Sequence, residues 1–263
     1  MSDKKRRKEY LKETTPQNPA LSLFLHFHMK KLLMITGILL PLLYSCKLIN
    51  PLMIRLENAE PSISKGESYD GKLINGKRLP NKGGNFRAAS YLLTAWGRNG
   101  VHDRLRDLVL EAYDSLHKAY PGRKYLYGET GWVKGGNFWP HYTHQNGLVI
   151  DFMVPVTDRE KEPATLKTHL FNRWGYAYEF DSSGTTKKYL IDFESMSAHL
   201  NILLALAPKY HLGIRRIIFT PEFLPFLFTA KDGEKLKNIF FVQKPGWLRH
   251  DDHYHVEFEL ISE

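Results

Sequence analysis

The side chains best placed to do chemistry together are histidines. Five of the twelve fall in two short clusters. One is Pro140-His141-Tyr142-Thr143-His144-Gln145-Asn146-Gly147-Leu148-Val149-Ile150-Asp151, the other His250-Asp251-Asp252-His253-Tyr254-His255. The chain has one cysteine, so neither an intramolecular disulfide nor a Cys-only zinc site can form. A bound metal would need imidazole and carboxylate ligands. His144 and Asp151 offer one of each, and Gly147 between them lets the chain turn. Asp151 lies inside Leu148–Met153, an otherwise apolar run, where a carboxylate is costly to bury unless it is paired or metal-bound. His253 and His255 stand two apart on an expected strand, so they face one side with Cα atoms roughly 6.5–7 Å apart. One can ligate a metal while the other reaches a water. Three protein ligands and an open fourth position is the arrangement of catalytic zinc. His102, His117, His169, His199 and His211 have no such company and read as ordinary surface or core residues.

The elements that must carry these residues follow from periodicity. Leu105, Leu108, Ala112, Leu116 and Ala119 recur at helical steps over 102–119, and Pro121-Gly122 ends the run. Residues 123–128 and 147–153 read as strands. Residues 176–180 and 188–192 read as a hairpin around Asp181-Ser182-Ser183-Gly184. A helix is expected over 194–210, a strand over 215–220, a helix from Pro221, and a last strand over 253–260. Strands and helices mix without regular βαβ alternation, so the expected class is α+β: a single domain over 85–263, with a central antiparallel sheet flanked by helices and long loops and the metal site on the sheet. Residues 47–84, rich in Pro, Gly, Ser, Lys and Asn, read as a tether and irregular segment.

The two clusters together carry a resemblance. His141, His144, Gln145, Gly147 and Asp151, followed late by His250, His253 and His255, are similar to the motifs of the penicillin-insensitive murein endopeptidases. These are zinc peptidases of the lysostaphin/D-alanyl-D-alanine peptidase/hedgehog superfamily. Gly135-Gly136-Asn137-Phe138 joins the resemblance, which spans roughly residues 85–260; the segment ending in Arg216-Ile217-Ile218-Phe219 matches more loosely. It implies Zn2+ held by His144, Asp151 and His255. It implies His253 as general base or water-positioning residue, with His250 and His141 in support. It also implies hydrolysis of D-alanyl-meso-diaminopimelyl cross-links in peptidoglycan. The alternatives are a D-alanyl-D-alanine carboxypeptidase or dipeptidase of the same superfamily and a non-catalytic wall-binding lipoprotein. The carboxypeptidase branch uses a Glu shortly before a Trp-His ligand, whereas here no Glu occurs in 246–256 and the ligand follows Tyr254. Trp132, Phe138, Trp139, Tyr142 and Tyr254 flank the motifs as platforms for glycan or peptide, or as core aromatics.

Location is written at the N-terminus. Lys30 and Lys31 precede an apolar run from Leu32 to Leu43, and Ser45-Cys46 follows. This is the build of a secretory signal over 29–46, too short to span a ~30 Å hydrocarbon core. Its Leu43-Tyr44-Ser45-Cys46 ending resembles a bacterial lipobox, implying lipid attachment at Cys46 and a periplasmic, membrane-anchored protein, in the outer membrane rather than the inner. Residues 1–28 read as an extension before a start at Met29. Of the net charge of +9, eight basic and three acidic residues lie in 1–46, leaving +4 for 47–263. With no Lys/Arg-rich helix, that balance argues against nucleic acid as partner and is compatible with an acidic polymer such as peptidoglycan.

Overall fold

Two antiparallel neighbours, one built on Asp151 and one on His255, form the middle of the molecule. The computed structural model describes residues 27–31, 45–243 and 249–262, and the chain divides into two compact units, Met1–Ser45 and Cys46–Glu263. Helical residues 27–31 (α1) belong to the first; the expected signal run 32–43 and most of the 1–28 extension lie outside the described residues. Helical residues 45–55 (α2) lead into the second. There follow β1 (Ile63–Glu67), β2 (Asp70–Ile74), β3 (Lys77–Arg78), β4 (Phe86–Ala88), α3 (Tyr91–Trp96), β5 (Gly100–Val101), α4 (Asp103–Ala119) and β6 (Tyr125–Tyr127). The chain continues with β7 (Val149–Met153), β8 (Val156–Thr157), β9 (Pro163–Ala164), β10 (Leu190–Ile191), α5 (Phe193–Leu206), β11 (Leu212–Ile218), α6 (Leu224–Thr229) and β12 (His253–Leu260). The second unit is thus a single body of mixed helices and sheets.

Its largest sheet has the order β11-β12-β7-β6-β4. The pairs β11/β12, β12/β7 and β7/β6 are antiparallel, while β4 and β6 run parallel. The expected antiparallel sheet is therefore a mixed one. The reason is the crossover between β4 and β6, which contains α3 and α4 and is long enough to return the chain in the same direction. α4 buries Leu105, Leu108, Val109, Ala112, Tyr113 and Leu116, and α5 buries Met196, His199, Leu200 and Leu203. Both stripes join one core with Phe152, Tyr254 and Val256 of the sheet, apart from the polar His199. Each buried leucine contributes about 1.5–3 kcal/mol.

Three further expectations are corrected. Residues 47–84 are not irregular throughout: they hold most of α2 and the β1–β2 hairpin, and they lie in the compact unit Cys46–Glu263. Buried Asn50 explains part of this, because its side chain donates to the Leu79 carbonyl (2.9 Å) and to Asn81 Oδ1 (2.9 Å) and fastens α2 to the body. The hairpin expected over 176–192 does not form. Residues 176–180 are not a strand, and Leu190–Ile191 pairs with β8 instead. Residues 207–210, expected to continue α5, form a 3-10 turn after Pro208 interrupts the α-helical pattern.

Candidate metal centre

Register sets the centre of the site. Asp151 on β7 stands directly opposite His255 on β12, and Met153 opposite His253. Directly opposed residues bring their side chains within reach of one another, and His255 Nδ1 lies 2.9 Å from Asp151 Oδ1. The third member arrives by a loop. His144 adopts φ +73°, and Gly147 turns the chain at φ +78° into β7. A side chain at Gly147 would strike Leu73 and the His102 amide, at 2.6 and 3.1 Å from a Cβ, so glycine is required there for space as well as for conformation.

His144 and Asp151 are both wholly buried, with His144 Nε2 3.4 Å from Asp151 Oδ1. Neither ring nitrogen of His144 has a hydrogen-bond partner. A buried imidazole left in that state is costly. A separation of about 3.3 Å between ligand atoms is what two ~2.0–2.1 Å bonds at a tetrahedral angle require. The residues present therefore fit a metal ion. His141, His144 and Asp151 each offer a ligand atom, and these atoms lie within 4.8 Å of one another, so this group could hold one. The His144–Asp151 pair is common to that group and to the set expected from sequence. His141 stands in it where His255 was expected, and His255 lies against Asp151 through the hydrogen bond above.

Partners fix each of these side chains. Tyr176 donates its hydroxyl to Asp151 Oδ2 (2.9 Å) and accepts from the Glu129 amide (2.8 Å). His141 Nε2 lies 2.9 Å from Glu129 Oε2, and Arg98 Nε pairs with the other oxygen of Glu129. The Arg98 guanidinium carbon lies 3.9 Å from the centroid of the Phe138 ring. His253 Nδ1 is 2.5 Å from Asp252 Oδ1, and its ring packs at 4.8 Å from both Tyr176 and His250. Burial pushes the Asp151 carboxyl up, but His144, His253 and His255 outweigh burial and hold it well below the usual carboxylate range. Burial lowers His144 and keeps it neutral, although Asp151 pulls the other way. A neutral imidazole beside an ionised carboxylate is the protonation state that ligation needs.

Above the pair opens a cleft of about 1090 Å3, lined by residues that include His141, His250, His253 and His255. Four of the six expected site residues line this cavity, and the other two, His144 and Asp151, are wholly buried next to His141 and His255. Of the flanking aromatics, Trp132, Trp139 and Tyr142 also line it, and Trp139 and Tyr142 are exposed, whereas Phe138 and Tyr254 are core. The partners Glu129, Tyr176, Arg98 and Glu257 were not foreseen. They reach the site from separate parts of the chain, and only the spacing of Glu257, two after His255 on an expected strand and so on the same face, offers a signal. No protein-family model matches the chain, and no curated protein matches it.

Proposed function

We propose that this protein is a zinc-dependent murein endopeptidase that hydrolyses peptide cross-links in bacterial peptidoglycan. The observation that carries the reading is the buried His144, with no hydrogen-bond partner on either ring nitrogen, facing the ionised Asp151 beside His141 and His255, which line an open cleft. His144, Asp151 and His255 would hold the ion, and with no thiol at hand a His/Asp donor set suits zinc. When bound, the metal supplies Lewis-acid activation of water and of the scissile carbonyl.

The remaining steps belong to the side chains. Asp252 fixes the His253 ring through Nδ1, leaving Nε2 to take a proton from the attacking water and deliver it to the leaving amine. Burial works against a charge on His253, but Asp151 and Asp252 outweigh it and raise its affinity for that proton. Tyr176 locks the Asp151 carboxylate in one orientation. His141, tethered by Glu129, and His250, beside His253, are placed to hydrogen-bond the developing oxyanion. Trp139 and Tyr142 give the rim flat apolar surfaces for sugar or peptide. The protein acts in the periplasm, held at the membrane through Cys46.

The test is digestion of cross-linked muropeptides by the purified protein, with and without a chelator, followed by mass spectrometry. Conversion of dimers to monomers that stops with chelator and returns with zinc is expected. Loss of a terminal D-alanine with cross-links intact would transfer the protein to the carboxypeptidase reading. No metal-dependent change in any muropeptide would leave only a wall-binding role.

A further inference from the structure

His255 has two ring nitrogens, and the structure gives each a different neighbour. Nδ1 points at Asp151 Oδ1 (2.9 Å), and Nε2 at Glu257 Oε1 (3.3 Å). Glu257 is 1% exposed and is held from two further sides. Arg216 Nη2 donates to Oε1 (2.7 Å), and Ser68 Oγ donates to Oε2 (3.2 Å). Burial pushes a lone carboxyl towards neutrality, but here Arg216 forms an ion pair with it and Ser68 donates to it. An ionised carboxylate only accepts hydrogen bonds. The proton between His255 Nε2 and Glu257 therefore belongs to the imidazole; by the same rule Nδ1 donates to Asp151 in the metal-free chain, and it is that proton a metal would displace. Each partner comes from a different element: Arg216 is paired with Glu257 across β11 and β12, and Ser68 sits in the β1–β2 turn, where its carbonyl also accepts from the Gln145 amide (3.0 Å). His144 has no comparable partner on either nitrogen.

We infer that Glu257 is a positioning residue that holds a proton on His255 Nε2 and thereby presents Nδ1, with Asp151 and His144, to the metal. The inference rests on the ligand set given under the proposed function. A metal-bound histidine is commonly oriented by a carboxylate on its other ring nitrogen, and removing that carboxylate lowers metal affinity by about 10–100-fold. The arrangement also gives the β1–β2 hairpin a part in the site, through Ser68.

Two measurements test it on the full chain. The first is nitrogen-15 NMR of histidine-labelled wild-type protein loaded with cadmium-113. It should show metal coupling at His255 Nδ1 and a proton on Nε2. The second is zinc affinity, by competition with a chromophoric chelator, for the wild type, Glu257→Gln and Glu259→Gln, an exposed glutamate on the same strand. A fall of about 10–100-fold for Glu257→Gln, with Glu259→Gln unchanged, is expected. Coupling at Nε2, or equal affinity in the two variants, overturns the role of Glu257 and leaves the metal site standing. A wild type with no coupling at His144 or His255 overturns the metal reading itself, and this inference with it. If Glu257→Gln fails to fold, the wild-type coupling pattern alone decides.

Discussion

Asp151 receives hydrogen bonds or close approaches from Tyr176, His255 and His144, and it offers only two oxygens. Tyr176 donates to Oδ2, and both histidines approach Oδ1, the oxygen that an ion bound among them would share. That shared oxygen separates ligands from supporting groups. His144→Ala, Asp151→Asn and His255→Ala should each lose the metal on dialysis. Asp151→Asn is the cleanest of the three, because it keeps the shape and removes the charge. His141→Ala should keep most of it, since its Nε2 is already engaged by Glu129. His253→Ala should keep both fold and metal while hydrolysis falls by ~10²–10⁴-fold, the usual worth of a positioned acid–base group. Elemental analysis beside muropeptide cleavage reads all five. Metal lost from His141→Ala and retained by His255→Ala would make His141 the third ligand.

At the scale of elements, α5 meets the sheet through a polar contact inside an apolar layer. His199 is wholly buried, its Nδ1 is 2.6 Å from the Tyr254 hydroxyl on β12, and its ring packs on Tyr113, 5.2 Å between centroids. Burial lowers its pKa to about 3, against about 6.5 in an unfolded chain. Between those values the unfolded chain takes up a proton that the folded one refuses. The contribution of His199 to stability is therefore complete above about pH 6.5 and is lost as the pH falls towards 3. Its slope is about 1.4 kcal/mol per pH unit within that window. Urea unfolding of the wild type and His199→Gln, both in chelator, should show a shallower pH dependence for the variant between pH 6 and 4. Parallel curves would mean that His199 is solvated or already charged in the fold. From the sequence His199 was an ordinary residue, and its helix was legible because apolar spacing reports a buried face. Legible for the same reason were α4, β7 and β12, and with them His144, Asp151, His253 and His255, whose placement depends on local spacing. The residues 176–180 were misread because alternation fits either a strand or a loop that turns one tyrosine inward. Tyr176 is used in that second way, to hold Asp151, and the contact joins positions 25 residues apart that no local pattern links. Arg98 and Glu129 escaped notice likewise, since their pairing spans 31 residues.

For the whole molecule, the question is where the cleft is held, and α2 bears on it. Its inner side is fastened by Asn50, while Leu48, Ile49, Leu52, Met53 and Leu56 at its outer side and end are exposed. Such a helix, carrying Lys47 and Arg55 and no acidic residue between 45 and 55, has the composition of one that rests at an anionic lipid interface. No helix among the described residues is long and apolar enough to cross a membrane. Cys46 is 8% exposed in the intact chain, so lipid attachment requires its thiol to become accessible. Each buried CH2 of an attached diacylglycerol contributes ~0.8 kcal/mol, and two acyl chains give stable anchoring where one does not. Cys46→Ser produced in bacteria should then leave the membrane fraction, or accumulate as the longer unprocessed form, while the wild type carries the mass of the lipid. The loss should occur with metal content and muropeptide cleavage unchanged, because Cys46 lies outside both histidine clusters and does not line the cleft. Equal fractionation of the two proteins, together with an unmodified Cys46 in the wild type, would detach the catalytic reading from the membrane and leave α2 as an apolar surface awaiting another partner.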